Sequence, residues 1–151
     1  MTRGYSAIGL YQPKTPANIG GVLRAADCYG AALVAVQGQR YKRIGTDTLA
    51  SYRHIPLLNV PDLHECVPYD CIPIAIERAD GAKPIQDFTH PERAFYVFGP
   101  EDGSVPKAVQ EWCKCVVYIP TWHCMNLAAT VNVVLFDRAM KRGEWSKGGD
   151  A

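Results

Sequence analysis

Hydrophobic and polar positions along this chain alternate between two rhythms. Short apolar runs recur at Ser6 to Tyr11, Ala32 to Gln37, Ile55 to Val60, Cys71 to Ile76, Ala94 to Phe98 and Cys115 to Ile119. Each is bounded by glycine, proline or polar residues and predicts a buried strand. Between the first two, Ile19, Val22, Leu23 and Ala26 fall at i, i+3, i+4 and i+7, the stripe of a one-faced helix, with Asn18 as its cap and Gly30 as its stop. Arg24 and Asp27 point away from that stripe. Residues 46 to 53 form a helical turn, Leu63 to Val67 a short helix, and Gly81 to Pro91 a polar connection rich in breakers. Pro106 opens the next helix at its first position, carrying Ala108, Val109 and Trp112 to Lys114. Pro73 inside the fourth strand argues for an edge or a bulge.

The stretch Tyr118 to Asp137 is where the chain converges. It begins as a strand, breaks at Pro120, passes through a loop with Trp122, His123 and Cys124, and continues as a helix capped by Asn126. Leu127, Val131, Val134, Leu135 and Met140 make that helix apolar nearly all round, which predicts enclosure by protein on most sides.

Alternating strands and helices predict an α/β domain spanning residues 1–151, with a mainly parallel sheet and helices on both faces. Ligands in such sheets sit beyond the carboxyl ends of the strands. The loops after Ile76, Phe98 and Ile119 qualify by composition, the second as a glycine-rich turn that ends a central strand. No G-x-G-x-x-G follows the first strand and no P-loop pattern occurs, which speaks against a dinucleotide or a P-loop nucleotide.

Composition narrows the setting. With 151 residues, 48% of them hydrophobic, the chain can bury one ordinary core. A net charge of +1 does not by itself announce nucleic acid. The local cluster Arg40, Tyr41, Lys42 and Arg43, an aromatic among three cations, suits RNA, although a solvated loop has the same composition. Six cysteines without C-x-x-C or zinc spacing, and no secretory apolar segment, point to reduced thiols in the cytoplasm and no metal. No apolar run is long enough to span a membrane.

Three segments together carry a resemblance: Asn18-Ile-Gly-Gly-Val-Leu-Arg24-Ala-Ala, Phe98-Gly-Pro-Glu-Asp-Gly-Ser-Val-Pro106, and Ile119-Pro120 with Cys124-Met-Asn126-Leu. In order and spacing they resemble the motifs of the SpoU/TrmH class of SPOUT RNA methyltransferases. The resemblance implies a C-terminal deep trefoil knot, S-adenosylmethionine as cofactor, a homodimer, and transfer of a methyl group to a ribose 2′-hydroxyl of tRNA or rRNA. Without an added N-terminal RNA-binding domain, the chain is most similar to the minimal, TrmL-like members that modify the tRNA wobble ribose. An rRNA substrate, or a knotted binding module without turnover, stands as the alternative.

The resemblance also implies roles. Arg24 corresponds to the catalytic arginine; a guanidinium is a poor base, so orienting the attacking ribose and its phosphate is the role we assign to it, against an ion pair with Asp27. Asn18 would position Arg24 or RNA, or serve as a cap alone. Glu101 would anchor its turn and touch Arg24 or substrate. Asn126 would hold cofactor or ribose, or only cap its helix. Ile76, Gly99, Ile119, Cys124 and Met125 would surround the cofactor, with Cys124 standing where the family usually has serine. Trp122 and His123 would stack on a base or on adenine, or Trp122 would cover the core.

Overall fold

The computed structural model describes residues 4–38 and 51–145. Its strands are β1 Tyr5–Tyr11, β2 Val34–Gln37, β3 Leu57–Val60, β4 Ile72–Ile76, β5 Lys83–Pro84, β6 Arg93–Phe98 and β7 Cys115–Tyr118. They form one sheet in the order β3-β2-β1-β6-β4-β7-β5, and each pairing is parallel. The helices are α1 Pro16–Tyr29, α2 Lys107–Trp112 and α3 Leu127–Arg142.

Successive side chains of a strand point to opposite faces, and the two cores follow that period. Ile8, Leu10, Ile74, Ile76, Tyr96 and Phe98 pack with Ile19, Val22 and Leu23 of α1 and Val131, Val134 and Leu135 of α3. Ala7, Ala75, Phe95 and Val97 face the other way, onto Leu63 and Val109 of α2. The expected parallel sheet with helices on both faces is therefore present.

Local departures have local causes. Pro73 lies in an inner strand, not at an edge. Its carbonyl accepts from Lys114 N–H at 2.8 Å, so its missing donor faces β7's side, where pairing begins only at Ile74. No ladder bond is lost. Helix α1 starts three residues earlier than expected: Pro16 takes its first position and Thr15 is the cap residue, leaving Asn18 inside the first turn. Gly30 does end it, at φ 70°, a left-handed conformation that costs glycine little. Pro106 is the cap of α2 rather than its first residue. The stretch expected as a polar connection contains β5 and a 3-10 turn, Ile85–Asp87.

Helix α3 is not enclosed all round. Leu127, Val131, Val134, Leu135, Arg138 and Ala139 are buried, whereas Phe136 and Met140, four residues apart, form an exposed second stripe. The buried Arg138 donates to the carbonyls of Pro91 and Glu92 at 2.7 and 2.8 Å and to the Tyr96 hydroxyl at 3.2 Å. Tyr96 also lies 2.6 Å from His90 Nδ1, and His90 Nε2 lies 2.8 Å from Asp137. A carboxylate only accepts, so His90 carries its proton on Nε2, and Nδ1 accepts from Tyr96. Burial holds His90 below its ordinary pKa against the pull of Asp137, with Arg138 and Lys141 adding to the depression. Burial likewise pushes the Tyr96 hydroxyl up to about 12.

Candidate active site

The strand order sets β6, β4 and β7 side by side, so three loops distant in sequence leave the same end of the sheet together. They enclose a cavity of about 500 Å³. Its floor is apolar and buried, with Ile76, Phe98 and Leu127; Gly99, Ile119 and Met125 lie above, and Glu101, Trp122, His123 and Cys124 stand exposed at the rim. Volume and lining are those of a small-molecule site.

Two consecutive residues after β4 tie the loops to one another. The Glu77 carboxylate accepts from Val105 N–H, in the loop after β6, at 2.7 Å. Arg78 Nη2 donates to the Thr121 carbonyl, in the loop after β7, at 3.0 Å. A third tie runs to the other side: the Glu101 carboxylate accepts from the backbone N–H groups of Lys14 and Thr15 at 3.0 and 2.8 Å, at the start of α1. Carboxylates holding backbone N–H groups make strong, directional contacts.

The loop's own packing requires glycine at position 99. A Cβ there would lie 2.7 Å from Val105 N and 2.8 Å from the Ser104 carbonyl carbon. A side chain there would strike the loop's own backbone.

Asn126 caps α3, its side-chain oxygen accepting from Ala129 N–H at 3.1 Å, and its Nδ2 donates to Asn18 Oδ1 at 2.7 Å. The two asparagines thus join the first turns of α1 and α3, and the capping role belongs to Asn126 while Asn18 bonds across. Gly21 lets the helices approach, since a Cβ there would meet Ala128 Cβ at 2.7 Å. Arg24 is exposed on α1.

Residues 6–136 match the model of the SpoU rRNA Methylase family. The chain belongs to that family. Solved structures are similar in fold. The SpoU methyltransferase AviRb from Streptomyces viridochromogenes, in complex with AdoMet, is 19% identical with a TM-score of 0.81, covering 94% of this chain and 62% of that one. The AdoMet-bound rRNA methyltransferase from Sinorhizobium meliloti is 19% identical with a TM-score of 0.80, covering 91% and 57%. This chain thus spans less than two thirds of either protein. A structure giving insights into the 2-OH methylation of C/U34 on tRNA is 22% identical, with a TM-score of 0.79 over 93% of this chain and 92% of that one. No curated protein matches the sequence.

In this SpoU chain, Ile76, Gly99, Ile119, Cys124 and Met125, the residues expected around the cofactor, all line this cavity, and Glu101, expected to act on Arg24 or substrate, lines it with them. Asn18, Arg24 and Asn126 are not part of its wall. Trp122 is 98% exposed, so it does not cover the core. Arg40, Tyr41, Lys42 and Arg43 lie outside the described residues. Glu77 and Arg78 escaped the sequence reading, although charged residues directly after an apolar central strand were the available signal. All six cysteines are free; burial pushes Cys113 up to about 12 and raises Cys66 and Cys115, which leaves these three thiols poor nucleophiles. Among the described residues, no group of three or more His, Cys, Asp or Glu could hold a metal, and no helix is long and apolar enough to cross a membrane.

Proposed function

We propose that this chain is an S-adenosylmethionine-dependent RNA methyltransferase that modifies a ribose 2′-hydroxyl, with tRNA as its substrate. The observation that carries the proposal is the cavity built from the loops after β4, β6 and β7 in a member of this family. The cofactor fits its chemistry. An apolar floor suits adenine, and the wall sets two carboxylates, Glu77 and Glu101, against one guanidinium, Arg78, a balance that favours a ligand of net positive charge. When bound, S-adenosylmethionine supplies an electrophilic methyl group to an attacking oxygen.

The chain's own work is then positioning. Glu101 fixes the rim to the start of α1, and the Asn18–Asn126 bond holds α1 against α3, so Arg24 is carried on a helix secured at its first turn. Arg24 orients the ribose and its phosphate by a two-pronged contact. In this reading the C-terminal helix is threaded as a deep trefoil knot, and residues 1–151 act as one unit. Two copies associate through the exposed Phe136–Met140 stripe, a patch that suits partner burial. Correspondence with TrmL-like enzymes and a cytoplasmic setting belong to the same proposal, the latter supported by six free thiols. Arg40, Tyr41, Lys42 and Arg43 would add cationic and aromatic contacts to RNA.

The decisive experiment incubates the protein with methyl-labelled S-adenosylmethionine and total RNA from cells lacking it, then maps 2′-O-methyl gain. Arg24→Ala and Arg24→Lys should lose about a hundredfold or more in turnover while keeping cofactor affinity. No transfer by the wild type refutes the reading. Full transfer by both variants refutes the role of Arg24.

A further inference from the structure

We propose that Trp122 is the stacking platform for the base of the nucleotide being methylated, a step that rests on the function proposed above. Trp122 lines the mouth of the cavity yet is 98% exposed, so nearly the whole ring faces solvent. An indole in water forgoes one of the largest apolar burials any side chain offers. Its loop is nonetheless held. Thr121 Oγ1 donates to the His123 carbonyl at 2.8 Å, closing a tight turn across Trp122, and Arg78 Nη2 donates to the Thr121 carbonyl at 3.0 Å. The turn is thus pinned to β4's end on one side and closed on itself on the other, which holds the backbone that carries the ring at the cavity's rim.

Depth decides what it receives. Ile76, Phe98 and Leu127 form a buried floor, able to enclose a small cofactor, whereas Trp122 stands with His123 and Cys124 at the exposed rim. A cofactor on the floor leaves the rim to the second reactant. That reactant is a nucleotide, whose unpaired base offers a flat π-face for which an exposed indole is the complement. Stacking does not depend on base identity, so Trp122 fixes where the base lies and not which base it is.

The test uses full-length protein in two measurements. With Trp112 and Trp145 both changed to Phe, the remaining Trp122 emission should be quenched by a short single-stranded oligoribonucleotide and left unchanged by S-adenosylhomocysteine. In methyl transfer, Trp122→Ala should raise KM for RNA about tenfold or more, Trp122→Phe less than threefold, and both should keep the cofactor Kd within about twofold. An active wild type with an unaltered KM in Trp122→Ala overturns the inference and spares the functional reading. A Trp122→Ala variant that loses tenfold in cofactor affinity overturns it in favour of adenine. A wild type that methylates no RNA removes both.

Discussion

Replacing Glu77 by alanine would remove the acceptor that joins β4's end to the loop after β6. The bond is short, 2.7 Å, and runs from a backbone N–H whose residue, Val105, is 2% exposed, so water is a poor substitute acceptor there. A hydrogen bond to a charged group contributes about 1.5–3 kcal/mol, and an unsatisfied buried N–H costs about 1–3 kcal/mol. Taking about 2 kcal/mol as the net loss, and assigning it to the geometry of the cavity, S-adenosylhomocysteine should bind roughly thirtyfold more weakly. If the same loss is felt by the whole fold, the melting temperature should fall by about 4–8 °C. Glu77→Gln separates charge from geometry. Its amide oxygen still reaches Val105 N–H, while its NH₂ cannot accept from Arg78 N–H, which the carboxylate's other oxygen holds at 2.9 Å at an exposed position. The glutamine variant should therefore lie between wild type and alanine, nearer the wild type. Titration calorimetry with S-adenosylhomocysteine and a thermal melt on each variant supply both numbers. Alanine within twofold of wild-type affinity would show that the tie does not shape the cavity.

Gly99→Ala should also weaken cofactor binding, because its Cβ would press on Val105 N, the atom Glu77 holds; a double-mutant cycle with Glu77→Ala should be non-additive, and additivity would refute the shared cause. His90 has its folded pKa below the ordinary 6.5, so the unfolded chain binds its proton first: stability is full above about pH 6.5 and falls as pH drops toward the folded value. Urea titrations across that window should show the slope in wild type and lose it in His90→Gln; an equal slope in both disproves the assignment. Phe136→Glu should convert a dimer to monomer by light scattering, and a wild type that is already monomeric when dilute removes the proposed interface.

The parts of the fold legible in sequence were those where local pattern and tertiary environment agree. The stripe Ile19, Val22, Leu23 and Ala26 is wholly buried, and β6 occupies the apolar run ending at Phe98 almost unchanged. Pro73 misled because proline's cost depends on which side its missing N–H faces, a fact of register and not of composition. Met140 misled for a similar reason: the run of apolar residues predicted enclosure all round, whereas Met140 stands exposed beside Phe136. Cavity-lining residues were legible in the loops after Phe98 and Ile119. Glu77 and Arg78 were not, since their partners, Val105 and Thr121, are backbone groups 28 and 43 residues away. Backbone acceptors and donors leave no mark on side-chain identity.

That same invisibility covers the anchoring of α3, and here distant parts of the molecule act on one wall. The first turn of α3 supplies Leu127 and Thr130 to the cavity, immediately after the Asn126 cap bonded to Asn18. Roughly 16 Å further along the same helix, Arg138 is clamped by two carbonyls and the Tyr96 hydroxyl, with Lys141 reaching the carbonyls of Ile85 and Phe88 at 2.5 and 2.9 Å. A helix fixed only at its capped end could pivot about that end. A second set of directional contacts at the far end removes the pivot and fixes the helix's rotation, and with it the depth at which Leu127 enters the floor. Tyr96 can serve this clamp because it stays protonated at neutral pH, donating a hydrogen bond to His90 while accepting one from Arg138. A buried charge is costly unless every contact is satisfied. Its place at the end of α3 away from the cavity is consistent with a positioning task that apolar packing, which tolerates sliding, performs less well.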